Sequence, residues 1–126
     1  MTTFDFGSGS VPAHRHCNGG GWVADTAFVA DTAFVGENAQ VFDNARVYDD
    51  AWVFGGARVY GNARVYDDAW VYDDAWVFGG AQVFGNARVS GDAQVYGNAW
   101  VCDDARVFGN AMVYGNARVY GDTYLT

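Results

Sequence analysis

The chain has 126 residues, 7 Lys+Arg against 15 Asp+Glu, a formal net charge of -8 and 17% aromatic residues. That length is one domain's worth, and an acidic chain without a single Lys does not present a basic nucleic-acid-binding surface. No apolar run approaches the ~18 residues of a membrane span. The opening Met-Thr-Thr-Phe-Asp-Phe lacks the regions of a signal peptide, and Cys17 and Cys102 are too few for a disulfide framework, so a cytoplasmic setting is expected.

Residues 1–20 follow no repeat and hold the only Pro, Pro12. They are expected to form an irregular cap over an open edge of the structure that follows, with Gly19-Gly20-Gly21 turning the chain in to Trp22. From Val23 to Val119 every sixth residue is Val, and Leu125 takes the next position. From Ala27 to Ala117 every sixth residue is Ala, followed by Thr123. Period six drifts around a helix and excludes one. Ala and Val two apart point the same way from an extended strand, while the residues between and after them point outward. The Gly-Asn, Asp-Asp or Gly-Gly pair that closes each unit accepts the positive φ of a sharp corner. Units this short bury nothing alone, so they must wind and stack as an all-β solenoid.

The hexad Val65-Tyr66-Asp67-Asp68-Ala69-Trp70, with an aliphatic residue first and a small one four later, resembles the bacterial hexapeptide-repeat family over residues 21–126. The resemblance implies a left-handed parallel β-helix of triangular section, 18 residues per coil and about six coils, preceded by the cap at 1–20. It also implies acyl transfer from coenzyme A or acyl carrier protein, with a His as general base. Against that, the coils hold no His and no loop insertion, and the position after Val is mostly Phe or Tyr. The weak catalytic candidates are therefore His14 and His16, in the cap. An interior of Ala and Val alone offers no buried polar residue and no room for a cofactor, so none is expected.

Folding the sequence at period 18 sorts the outward residues onto three faces. The first carries an aromatic ladder, Phe42, Tyr60, Phe78, Tyr96 and Tyr114, beside Trp76. The third carries Trp52 and Trp70 next to Arg88, and the second is richest in Arg, with Arg46, Arg64 and Arg118. Arg58 and Trp76, and Arg88 and Trp70, are expected to stack. Aromatic faces this wide are what interfaces look like. The expectation is a non-catalytic scaffold that forms a homo-oligomer, dimer or trimer, or binds a protein partner, with no membrane and no direct nucleic-acid contact. One corner carries Asp49, Asp50, Asp67, Asp68, Asp103 and Asp104, a pattern of turn chemistry that would also suit Ca²⁺ between coils or mimicry of the DNA backbone. His14-Arg15-His16-Cys17 is a weak metal motif without a defined fourth ligand. Gly121–Thr126 begin a further hexad, and an exposed strand edge there is expected to invite stacking or self-burial.

Overall fold

The computed structural model describes residues 2–126. It opens with a β-hairpin, β1 (Thr3–Asp5) and β2 (Ser10–Arg15), whose second strand lies antiparallel on β3 (Trp22–Ala24). Two-residue strands follow, from β4 (Phe28–Val29) to β20 (Tyr124–Leu125), one every six residues and all strand. Each pairs in parallel with strands 18 residues away, so Trp70 faces Trp52 on one side and Arg88 on the other. Three walls result, each with six solenoid strands, and the hairpin extends the first wall to eight. The chain is thus a parallel β-solenoid of about six coils with 18-residue spacing.

The alternation of the hexad does what its spacing demands. From Ala33 to Val107 every Ala and Val of the repeat is fully buried, forming one continuous core with no other residue type between them. Backbone amides knit the coils along the axis, each donating to the carbonyl of the residue 17 further on, as from Tyr48 to Val65 and from Asp50 to Asp67. Within each corner the Ala amide donates back three residues, as from Ala69 to Tyr66.

The corners explain their own composition. From residue 43 onward their first residue lies in the left-handed region, with φ of 57–59° at Asp43, Asp49, Asp67, Asp73 and Asp103. At each of these five, the carboxylate accepts the amide proton of the residue 18 further on, Asp67 from Gly85 at 3.1 Å for example. Asp thus tolerates the strained φ and satisfies a donor that a Gly corner leaves to solvent.

One expectation is corrected. Within the segment 1–20, read as irregular, residues 3–15 form a regular hairpin. Its Thr-Phe-Asp-Phe alternation puts Phe4 and Phe6 on one face, and Gly7 and Gly9 take positive φ at its tip. The buried core of the coils is Ala and Val alone, and a buried polar residue lies instead in the cap. His16 is 5% exposed, with Nε2 2.8 Å from the Ala33 carbonyl, an acceptor left over where the first coil meets the cap.

Candidate functional site

On the first wall, the rings following each Val stack along the solenoid axis. Centroids of Phe42 and Tyr60, Tyr60 and Phe78, and Phe78 and Tyr96 are 4.8–4.9 Å apart with planes within 6° of parallel. That spacing is the strand separation of a sheet, so the backbone ladder sets the ring ladder. Tyr114 continues it at 5.5 Å and is 58% exposed. At the other end the position in register holds only Ala24, and the hairpin supplies the missing ring: Phe6 stacks on Phe42 at 4.8 Å and is itself buried. Phe4 likewise stacks on Trp22 at 4.7 Å. The small side chain at position 24 leaves the space that Phe6 fills. Burial raises the pKa of the Tyr60 phenol; Arg58 pulls it down and Asp43 pushes it up by lesser amounts.

The remaining expected interface residues fall on two walls. Trp76, half-exposed, flanks the ladder and lies edge-on to Phe78 at 6.5 Å, with the Arg58 guanidinium 5.7 Å from its centroid. Trp52 and Trp70 stack on each other at 5.4 Å on the third wall, and Arg88 closes that column 4.4 Å over Trp70. Those two tryptophans therefore do not share a surface with the first-wall ladder. On the second wall Tyr48, Tyr66 and Phe84 stack at 4.9–5.0 Å, and the Tyr66 hydroxyl donates to Gln82 at 3.0 Å. Cys102 interrupts that column, its thiol pKa raised chiefly by burial.

A groove of ≈ 370 Å³ opens where the hairpin meets the ladder, lined by Phe6, Val11, Pro12, Phe42 and Tyr60 with Asp25 and Asp43 at its margin. His14 Nδ1 is 2.7 Å from Asp25 Oδ1, which fixes the ring at the hairpin surface. His14 is not part of the groove lining. The His14–Cys17 motif does not assemble: His16 turns inward to the Ala33 carbonyl, and Cys17 Sγ faces Asp31 Oδ1 at 3.7 Å. Along the acidic corner, Asp49, Asp67 and Asp103 point their carboxylates at backbone amides, and Asp50, Asp68 and Asp104 stand exposed beside them. Among the described residues no group of three or more His, Cys, Asp or Glu is arranged to hold a metal ion.

Sequence reasoning missed Phe4 and Phe6 as members of ring columns, although their alternation in Thr-Phe-Asp-Phe signals a strand with one aromatic face. It also missed His16 as a buried bridge, which no local pattern announces.

A continuous Ala/Val core wound in 18-residue coils, with ring ladders on its outside, defines a β-solenoid repeat protein. The chain belongs to the YdcK beta solenoid repeat family, whose model matches residues 39–55, 57–73, 81–97, 105–121 and 111–124, more than half its length. No curated protein and no solved structure matches it.

Proposed function

We propose that the protein is a non-catalytic scaffold that self-associates by laying the first wall of one copy on the first wall of another. The observation that carries this reading is the column from Phe42 to Tyr114, five rings in register and extended by Phe6. A ring ladder needs only its neighbours above and below to stabilise its own sheet. The rings from Phe42 to Tyr96 keep part of their surface outward beside a mixed column of Gln40, Arg58, Trp76, Gln94 and Met112, and toward the C-terminal end Trp76, Met112 and Tyr114 are the exposed members, the last two at 58%. Monomers seldom leave apolar patches of more than a few hundred Å² to water. A second copy offers the same rings at the same ~4.8 Å repeat, so the two ladders can interdigitate in an isologous pair.

The test is native mass by light scattering on a sizing column over a wide concentration range. The wild-type chain is expected as a discrete oligomer, and Tyr60→Asp with Phe78→Asp as a folded monomer. A wild-type monomer at every concentration, or an unchanged mass in the double variant, refutes the reading.

A further inference from the structure

Five of the seven Arg have an intramolecular partner ring: Arg15 on Trp22, Arg58 on Trp76, Arg88 on Trp70, Arg106 on Tyr124 and Arg118 on Trp100. The two left over are Arg46 and Arg64, and they stand directly in register on adjacent coils of the second wall. Both are exposed. Among the described residues neither has a carboxylate within 4.0 Å, although the chain carries 15 acids. The corner carboxylates nearest in sequence are turned along the axis to backbone: Asp43 accepts from the Gly61 amide at 3.1 Å and Asp49 from the Asp67 amide at 3.3 Å. Two like charges side by side on one sheet face destabilise it. An unneutralised guanidinium pair in an acidic chain is therefore a feature that its own fold does not use.

Its surroundings point to what would use it. On one side the two Arg line a groove of ≈ 350 Å³ with Asn44, Asn62, Thr26 and Phe28, without a carboxylate; on the other side the same Arg pair and Phe28 line a groove of ≈ 370 Å³ with Tyr48 and Asp49, whose carboxylate is engaged by the Asp67 amide. Phe28 is in register with Arg46 and lies on β4, the last strand of its sheet, so its ring is 54% exposed. We propose that Arg46 and Arg64 bind the dianion of a phosphate monoester, whose flat apolar body lies on the Phe28 ring. Each guanidinium offers a planar fork of N–H donors, and a phosphate with oxygens on every side accepts from two forks about one strand spacing (~4.8 Å) apart. The Asn44 and Asn62 amides supply neutral donors at the groove margin. This site is on a different wall from the first-wall ladder and does not rest on self-association.

The experiment is isothermal titration of the full chain with phenyl phosphate and with inorganic phosphate at constant ionic strength, so that general screening is held fixed. Phenyl phosphate is expected to bind more tightly than inorganic phosphate, and Phe28→Ala to erase that difference. Arg46→Gln with Arg64→Gln is expected to weaken phenyl phosphate by about tenfold or more, the scale of one or two lost charge-assisted bonds. Arg88→Gln, which removes a guanidinium held on a ring, is expected to leave it unchanged. In the wild-type chain the Nε–H resonances of Arg46 and Arg64 are expected to shift on titration while those of Arg88 and Arg118 stay. The proposal is overturned if the double variant binds like the wild type, if Arg88→Gln weakens binding equally, if the two phosphates bind alike, or if the Nε–H shifts fall elsewhere.

Discussion

Replacing Asp67 separates two contributions that the corner combines. Its backbone sits at φ 59°, and its Oδ2 accepts the Gly85 amide proton at 3.1 Å. Alanine at this φ costs about 1–2 kcal/mol in the left-handed region. The carboxylate bond, lying at an exposed corner, contributes about 1 kcal/mol. Asp67→Ala loses both and is expected to destabilise by about 2–3 kcal/mol, whereas Asp67→Gly loses only the bond and stays within about 1 kcal/mol of wild type. Asp67→Asn keeps an acceptor oxygen and tolerates the left-handed region, so it stays within about 0.5 kcal/mol. For a chain this size 1 kcal/mol moves Tm by roughly 3–4 °C, which puts the Ala variant about 8 °C below wild type. Thermal unfolding followed by far-UV circular dichroism at pH 7 reads the series. An Ala variant as stable as the Gly variant refutes the role of backbone strain, and an Asn variant as poor as Ala refutes the account of Asp as a neutral-replaceable acceptor.

Gly21 admits no side chain, because a Cβ there would run into the Val35 side chain and the Gly36 carbonyl. Gly21→Ala is expected to cost about 1–3 kcal/mol as overpacking and to expose the hairpin to limited proteolysis. Gly20→Ala meets nothing within 4 Å but sits at φ 80°, so it is expected to lose about 1–2 kcal/mol to backbone strain alone, without the overpacking, by the same two measurements. Alkaline stability follows from the phenols. Burial holds Tyr60 and Tyr66 above their ordinary value of 10.0, so the folded chain keeps protons that the unfolded chain releases. Their stabilising contribution is complete below pH 10 and falls as pH rises through the raised values. A Tm that declines above pH 10, with the decline blunted in Tyr60→Phe with Tyr66→Phe, is the expected result; identical pH profiles for wild type and variant overturn it.

Much of this architecture is legible in the letters because it repeats. Ala69 and Val71 two apart fix which side of the strand faces in, and Asp67-Asp68 fixes the corner. Once 18 residues are recognised as a coil, the stack of Arg88 on Trp70 follows from the numbering. What occurs once is not legible in that way. The placement of Phe6 on Phe42 depends on where a non-repeating hairpin folds back, and the inward turn of His16 depends on a carbonyl that only tertiary structure leaves unpaired. The isolation of Arg46 and Arg64 is likewise relational, since it emerges only when every other Arg is seen to have a ring.

The amide ladder has a consequence for how such a chain changes length. Removing one hexad leaves each remaining Ala and Val pointing inward, because the core reads the sequence in steps of six. The exterior reads it in steps of eighteen, since residues meet across coils only at that separation. Loss of six residues would therefore carry every later outward residue onto the neighbouring wall, cutting each ring column at the join while the interior stayed filled. Only changes of whole coils preserve both. Foldability and surface identity are written in the same chain at two different periods, so duplication errors that the fold forgives would rewrite what the molecule presents to its surroundings.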